Sequence, residues 1–279
     1  MSDLFATAVI PKGAAETSPM ESQLTDLSQI AYPVGGGRTE PLQHFLDSTF
    51  TDAFLVVQHG VVLTEAYSNN MRAGTRHLLN SVSKSFVGMA AGIAVDQGAL
   101  DPGQLVGHYL PELSDGAFRA TTVTNALNMT AAVVGWRPDL QTEQAPKSLL
   151  EYCQRRTQTE QQEGEHFHYR TVLTNLCAAV VARATGTSFV DFLTQELWQS
   201  LGPENDANVV VDATRAPYMG AGMSACARDL ARFGEMLCIG IHGQFIYVNR
   251  PKALVCVKLS SQTAPTDLKL YAASYRALR

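Results

Sequence analysis

The tetrapeptide Ser81-Val82-Ser83-Lys84 holds residue types suited to nucleophilic catalysis. Residues three apart share a helix face, so the Lys84 amine can approach the Ser81 hydroxyl. A serine hydroxyl is a weak nucleophile until a base takes its proton, and lysine can be that base when burial or a nearby cation lowers its pKa. N–H groups at the start of a helix can stabilise an oxyanion. The alternative is structural: Ser81 caps the helix and Lys84 extends into solvent.

Hydrophobic patterning predicts the elements that position this tetrapeptide. Strand-like runs over 53–57 and 61–67 flank Gln58-His59-Gly60, which is typical of a β-hairpin. Apolar residues then recur at helical spacing from Ser81 to Gln97-Gly98, a pair that ends helices. Later segments are predicted in the same way, as helices over 172–184, 190–198, 229–237 and 268–278 and as strands over 245–248 and 253–259.

Early strands, a helical middle and late strands predict an α/β fold whose sheet draws on both ends of the chain. The expected parts are a flexible segment over 1–40, an α/β subdomain over 41–100 and 225–279, and a mainly helical subdomain over 101–224. Regular structure is expected to begin at Asp52. The earlier Gly35-Gly36-Gly37 could cradle phosphate, but no strand is predicted before it and no Lys-Ser/Thr follows. A flexible linker is therefore the better interpretation.

Composition narrows the function classes. The chain has 279 residues, of which 46% are hydrophobic and 17% charged, so it can bury a substantial core. A net charge of −5 without a Lys/Arg cluster argues against nucleic acid or an anionic membrane as a partner. Five widely spaced cysteines predict buried free thiols in a reducing compartment. Without a signal-peptide pattern or an apolar run near ~20 residues, a cytoplasmic location is expected.

The segment Leu79–Phe86, which follows the predicted hairpin, resembles the active-site segment of serine β-lactamase-related hydrolases. That superfamily includes class C β-lactamases, DD-peptidases and family VIII carboxylesterases, and the chain is most similar to its 6-aminohexanoate-dimer hydrolase branch. Supporting stretches are Thr51–Val56, Ala227–Arg232, Gly240–Gln244 and Val257–Ser261. The resemblance implies a β-lactamase/transpeptidase-like α/β (α+β) fold. In that fold an antiparallel sheet from both chain ends is flanked by helices, and a mainly helical subdomain is inserted.

The same resemblance implies further site residues. Tyr169-Arg170-Thr171, just before the 172–184 helix, matches the second motif of the superfamily, so Tyr169 is expected to move the proton between nucleophile and leaving group. Thr171 stands where asparagine is more usual and is a candidate substrate-binding residue. The alternative for Tyr169 is a half-buried aromatic residue near a helix start.

The third motif, often Lys-Thr-Gly, corresponds to Cys238-Ile239-Gly240. Gly240 would let substrate approach the backbone, and the N–H groups of Ser81 and Ile241 would form the oxyanion hole. His242 either contacts substrate or is a hydrogen-bonded structural residue. Because the cationic position is lost, a simple amide or ester is a better expected substrate than a β-lactam or D-Ala-D-Ala.

The chain departs from this resemblance at two places. The loop that follows Thr130 in the relatives is largely absent, so no residue is assigned to its substrate-binding role. A longer segment is missing between Leu237 and Ile239, which removes packing beside the site and exposes a sheet edge that a homodimer could cover.

Two functions remain open. The first is a serine hydrolase that cleaves a small amide or ester through an acyl-enzyme on Ser81. The second is a truncated, catalytically impaired homologue that keeps the fold and at most binds ligands. No cofactor or metal is expected, because the pair His166 and His168 lacks a third ligand at a suitable spacing.

Overall fold

The computed structural model describes residues 5–14, 16–133, 148–159, 161–234 and 237–263, and within these ranges it has eleven strands and eight α-helices. The strands are β1 (Thr7–Ile10), β2 (Ala31–Gly35), β3 (Arg38–Pro41), β4 (Thr51–Gln58), β5 (Val61–Tyr67), β6 (His77–Leu78), β7 (Ala207–Val210), β8 (Met223–Ala225), β9 (Leu237–Gly240), β10 (Gln244–Asn249) and β11 (Leu254–Ser260). The helices are α1 (Leu42–Ser48), α2 (Ser83–Asp96), α3 (Val106–Tyr109), α4 (Val123–Leu127), α5 (Leu149–Gln154), α6 (Thr171–Thr185), α7 (Phe189–Phe192) and α8 (Ala227–Phe233).

The chain divides into two compact units. The first, called here the helical unit, comprises Met1–Ala14, Ser83–Ser200 and Asp206–Met223. The second, called here the sheet unit, comprises Ala15–Val82, Leu201–Asn205 and Ser224–Arg279. The subdomain boundaries predicted from the sequence, and the flexibility of residues 1–40, stay predictions.

The sheet unit is built on a five-stranded antiparallel sheet in the order β5-β4-β11-β10-β9. Two of its strands come from residues 51–67 and three from residues 237–260, which confirms the prediction that both parts of the chain supply one sheet. The predicted hairpin is β4 and β5, joined at His59-Gly60. One face of the sheet packs its aromatic and β-branched residues against Tyr32 and Phe45, which lie outside it.

Regular structure begins at Thr7, so the prediction that it begins at Asp52 is wrong. In the Gly35-Gly36-Gly37 segment, Gly35 ends β2, and Gly36 and Gly37 form the turn to β3, with φ of 61° and 74°. Glycine suits this turn because positive φ is costly for other residues. Strands of only four or five residues leave too little alternation for a sequence pattern to detect.

The helical unit is organised around α2 and α6, and both predictions are confirmed. α6 buries nine residues and ends at Gly186, whose φ of 68° is the left-handed conformation common after helices. The predicted 190–198 helix is α7 together with a π-helical continuation over Leu193–Trp198. No single helix in the described part of the chain is long and apolar enough to cross a membrane; α6 and the bent segment Phe189–Leu201 meet that test only as a pair.

Two predicted helices need comment. The predicted helix over 229–237 is wrong at both ends: α8 spans Ala227–Phe233, Gly234 ends it with a φ of 36°, and Leu237 already belongs to β9. The predicted helix over 268–278 lies outside the described residues. Residues 134–147, which follow the site of the loop predicted to be largely absent, also lie outside them. All five cysteines are buried and none of them forms a disulfide, as predicted.

Candidate active site

Lys84 lies in the first turn of α2 and is held by groups of the helical unit. Its ammonium donates a hydrogen bond to the carbonyl oxygen of Gly220 and lies 4.9 Å from the centre of the Tyr169 ring. Burial lowers the pKa of Lys84 below its usual value, and a hydrogen bond with Tyr169 partly opposes that shift. A lysine in this environment can give up and recover a proton more easily than a lysine in water.

The Gly220 carbonyl oxygen, which accepts the hydrogen bond of Lys84, is held in place because Gly220 packs closely on α6. Its N–H donates to Oδ1 of Asn175 at 2.7 Å, and Asn175 is only 3% exposed. A methyl group on Gly220 would lie 2.2 Å from Cγ2 of Thr171, a separation that no packing tolerates. Thr171 and Asn175 are one turn apart on α6, so a single helix face shapes the peptide that receives Lys84.

Tyr169 is 56% exposed, although the residues on either side of it are fixed. The Arg170 guanidinium is buried, donates to the Ala131 carbonyl at 2.7 Å and lies 2.7 Å from Nδ1 of His168. The backbone N–H of His168 donates to the Met129 carbonyl at 2.8 Å. The segment that carries Tyr169 is therefore anchored, while its phenol remains open to a ligand.

Ser81 belongs to the sheet unit, in the 3₁₀ turn Asn80–Val82 that leads directly into α2. The strand β9 packs closely against this turn. A methyl group on Gly240 would lie 2.7 Å from the Leu79 carbonyl oxygen and 3.1 Å from the Ser81 backbone nitrogen. Only glycine at position 240 permits this approach. The predicted role of Gly240, to let substrate approach the backbone, stays a prediction.

Ile241 follows β9 and is 53% exposed. Its carbonyl oxygen accepts a hydrogen bond from the Asn80 side-chain amide at 3.1 Å, which ties the residue before the candidate nucleophile to the candidate oxyanion donor. His242 adopts a left-handed φ of 64°, and its Nδ1 lies 2.8 Å from the Gln262 carbonyl oxygen. This contact matches the structural alternative for His242, and leaves Nε2 as the ring atom available to a ligand.

The structure thus assembles the predicted residues in two groups. The helical unit brings together Lys84 and Tyr169, with Thr171 packed on the Gly220 peptide. The sheet unit brings together the backbones of Ser81, Gly240 and Ile241. Their assigned roles stay predictions, and the peptide between Val82 and Ser83 links the two groups along the chain.

Three residues with evident roles in this arrangement were not predicted: Asn80, Asn175 and Gly220. Asn175 carried a usable signal, because it is an amide residue four positions after Thr171 in a mostly apolar helix. Gly220 lies in the run Gly220-Ala221-Gly222, which also hints at close packing. Among the described residues, no group of three His, Cys, Asp or Glu side chains could hold a metal ion.

Comparison with known sequences gives the relatives of this chain. The sequence profile of the Beta-lactamase family matches residues 42–277. The 6-aminohexanoate-dimer hydrolase of Paenarthrobacter ureafaciens is 33% identical over 222 residues, which are 73% of this chain and 56% of that protein. A beta-lactamase of Providencia stuartii is 30% identical over 129 residues, which are 46% of this chain and 33% of that protein. This chain therefore spans little more than half the length of the first relative.

Solved structures place the fold. A Bacillus anthracis protein assigned as a 6-aminohexanoate-dimer hydrolase superposes with a TM-score of 0.89 at 20% identity, over 99% of this chain and 90% of that chain. EstCE1, a hydrolase with promiscuous acyltransferase activity, has a TM-score of 0.63 at 15% identity, over 84% of this chain and 96% of that chain. These similarities confirm the predicted β-lactamase/transpeptidase-like fold. Since the family profile covers most of its length, the chain belongs to the Beta-lactamase family.

Proposed function

We propose that this chain is a serine hydrolase that cleaves small, uncharged esters and amides through an acyl-enzyme on Ser81. The observation that carries the proposal is the environment of Lys84. Its half-buried ammonium contacts Tyr169 and the Gly220 carbonyl, three residues beyond the candidate nucleophile. A surface lysine that merely extends into solvent would show none of these contacts.

In the first step, the neutral Lys84 amine takes the Ser81 hydroxyl proton while Oγ attacks the substrate carbonyl carbon. The carbonyl oxygen becomes an oxyanion, which the N–H groups of Ser81 and Ile241 stabilise. Tyr169 relays the proton to the leaving alcohol or amine, the bond to that group breaks, and the acyl group stays on Ser81.

In the second step, water replaces the leaving group. As water attacks the acyl carbon, it gives a proton to the Lys84 amine through the Tyr169 phenol, and a second oxyanion forms. When this oxyanion collapses, the bond to Ser81 Oγ breaks and the proton returns to Oγ. The products are a carboxylic acid and the regenerated enzyme. The exposed phenol of Tyr169 is open to water, which this step requires.

The expected substrate preference follows from charge. The cation of the usual third motif is replaced on β9 by Cys238, a buried thiol. The lysine of β11, Lys258, is only 6% exposed and is directed into the sheet unit, so it does not offer an anchor for a substrate carboxylate. A β-lactam or peptide carboxylate would therefore gain little binding energy, and neutral esters should react first.

The direct test is labelling with a fluorophosphonate probe, which reacts with activated serines. We expect the wild type to be labelled and Ser81→Ala to lose the label, whereas Ser85→Ala, one turn further along α2, should keep it. Folded wild-type protein that takes no Ser81-dependent label would contradict the proposal.

A substrate panel tests specificity separately. With p-nitrophenyl butyrate, a linear 6-aminohexanoate dimer and nitrocefin, we expect the ester to turn over fastest, the amide more slowly, and the β-lactam negligibly. Nitrocefin cleavage faster than that of the ester would reverse the substrate assignment while leaving the serine mechanism intact.

The second candidate is a catalytically impaired homologue that binds ligands at most. It is favoured by length, since this chain spans 56% of the Paenarthrobacter ureafaciens enzyme. Labelling by the probe without turnover of any substrate in the panel would support this alternative.

A further inference from the structure

Lys258 is a buried lysine that the proposed reaction does not use. It lies on β11, paired in register with Phe54 on one side and Phe245 on the other, and is 6% exposed. Its ammonium lies 5.5 Å from the centre of the Phe45 ring. Burying an ammonium among aromatic residues is much less favourable than burying an apolar side chain of similar size, so a lysine here calls for an explanation.

A chain of hydrogen bonds leads from Lys258 toward the candidate oxyanion donor. The ammonium donates to Ser260 Oγ. The Gln244 side chain makes two hydrogen bonds with the backbone of Ser260. Nε2 donates to the Ser260 carbonyl oxygen at 2.6 Å, and Oε1 accepts from the Ser260 N–H at 3.3 Å. The same Nε2 lies 3.4 Å from the His242 carbonyl oxygen. Ser260 and Gln244 are each 1% exposed, so this network is shielded from water.

The network ends on the turn Ile241–Gly243, which joins β9 to β10. Gly243 has a φ of 90°, and a methyl group on it would lie 2.8 Å from Ser260 Cβ and 3.4 Å from the Lys258 ammonium. The buried ammonium therefore lies next to Gly243, on the interior side of the turn, whereas Ile241 is exposed. Asn80 holds the turn from the other direction through the Ile241 carbonyl.

Among the residues that the structure describes, no carboxylate forms a salt bridge with the Lys258 ammonium. Asp52 on β4 acts on it at longer range, and that carboxylate already receives hydrogen bonds from Asn69 at 2.7 Å and Ser261 at 3.2 Å. His77 Nε2 lies 3.1 Å from the other Asp52 oxygen. The positive charge of Lys258 is thus directed to Ser260 and the turn.

We propose that Lys258 is a positioning residue for the oxyanion hole. Through Ser260 and Gln244 it holds the Ile241–Gly243 turn in the shape that aims the Ile241 N–H at the substrate oxygen, and it places a positive charge behind that donor. This inference rests on the proposed hydrolase function. The role is distinct from substrate anchoring, because Lys258 is buried away from any ligand.

The test compares Lys258→Met with Cys256→Ala, a buried residue two positions earlier on the same face of β11. Three quantities are measured: the rate of Ser81 labelling by the fluorophosphonate probe, kcat and KM for p-nitrophenyl butyrate, and amide hydrogen exchange of the peptide spanning 238–245. For Lys258→Met we expect labelling and kcat to fall about 10- to 100-fold with KM within about two-fold, and exchange to rise. Cys256→Ala should stay within about two-fold of wild type in all three.

Folded Lys258→Met protein with wild-type labelling and kcat would overturn the inference and leave the proposed function standing. Absence of Ser81-dependent labelling in the wild type would instead overturn the proposed function, and with it the catalytic reason for the network. A second, independent variant is Ser260→Ala, which removes the acceptor and keeps the lysine. It should slow labelling about 3- to 10-fold, and unchanged labelling there would equally overturn the inference.

Discussion

The two groups of candidate site residues are built in opposite ways. In the helical unit, the candidate reactive groups are side chains, the Lys84 amine and the Tyr169 phenol, and a backbone carbonyl, that of Gly220, holds the amine. In the sheet unit, the candidate oxyanion donors are backbone N–H groups of Ser81 and Ile241. The groups that hold them are side chains, those of Asn80 and Gln244.

This difference predicts how substitutions in each group affect the reaction rate and the stability. A side chain that transfers a proton is lost outright when it is substituted, so its removal should affect the rate far more than the stability. A backbone donor survives every substitution except one that moves the chain, so its supporting residues should affect rate and stability together. Measuring both the reaction rate and the free energy of unfolding therefore distinguishes variants of the helical unit from variants of the sheet unit.

The largest effect is expected for Lys84→Met. Removing the base should lower kcat about 10²- to 10⁴-fold with little change in the free energy of unfolding, because an isosteric apolar side chain replaces a buried amine. The comparison variant is Lys12→Met, an exposed lysine of the same unit that should be silent. In the wild type, kcat/KM should rise with pH up to a lysine pKa that burial has lowered below its usual value. A flat pH profile would remove Lys84 from the role of base.

Gly240→Ala should come next, with a loss of about 10²-fold in kcat and a measurable loss of stability. The added methyl would meet the Leu79 carbonyl at 2.7 Å, so β9 must move away from Ser81. Gly88→Ala in α2 is the matched control, since nothing lies within 4 Å of the added methyl there and alanine favours helices. Kinetics and chemical denaturation of both variants provide the measurement. An active Gly240→Ala enzyme would show that the oxyanion is stabilised elsewhere.

Asn175→Ala should have a smaller effect on rate, about ten-fold, together with about 1–3 kcal/mol of lost stability, since the Gly220 N–H loses its acceptor. Asn175→Asp keeps the acceptor and adds a negative charge on the other side of the peptide that holds Lys84. That charge should raise the pKa of Lys84 and move the rising limb of the kcat/KM profile to higher pH. Coincident pH profiles for wild type and Asn175→Asp would contradict this coupling.

The last prediction concerns stability alone, and its sign is opposite to that of the variants above. Burial lowers the pKa of Lys258 to about 8, so folding the charged form costs about 3 kcal/mol relative to the unfolded chain. Lys258→Met should therefore be more stable than wild type by about 2–3 kcal/mol at pH 7. Between about pH 8 and the unfolded lysine pKa of ~10.4, the unfolded state binds more protons, so wild-type stability rises and the advantage shrinks. Denaturant titrations at pH 7 and pH 10 measure both values, and a destabilised Lys258→Met at pH 7 would contradict the cost.

How much could be read from the sequence depended on the range of the interactions involved. The β4–β5 hairpin, α2 and α6 have long, regular apolar patterns, and their positions were predicted. Ser81 and Lys84 are three residues apart, so their relation is visible in a single motif. By contrast, Asn175 pairs with Gly220, 45 residues away, and Gln244 pairs with Ser260 across two strands. Such pairs depend on tertiary contacts that no local pattern records.

The first three strands were not predicted from the sequence for a different reason. Each of β1, β2 and β3 has at most five residues, and they are stabilised by pairing with partners rather than by a hydrophobic repeat. The end of α8 shows that a single glycine can outweigh continued apolar spacing, because Gly234 adopts a left-handed conformation and ends the helix. A glycine at the end of a helix is thus a stronger boundary signal than the apolar periodicity that continues beyond it.

The buried cysteines have a practical consequence. All five cysteines are buried and none forms a disulfide. Burial raises the pKa of Cys153, Cys177, Cys226 and Cys256 to about 12. Native thiols of this kind react slowly with maleimides, because the reactive thiolate is scarce and shielded. A single cysteine introduced at Phe167, which is 65% exposed and two residues from Tyr169, would then be the preferred attachment point. The wild-type chain is thus a ready background for a fluorophore or spin label that reports ligand arrival beside the phenol.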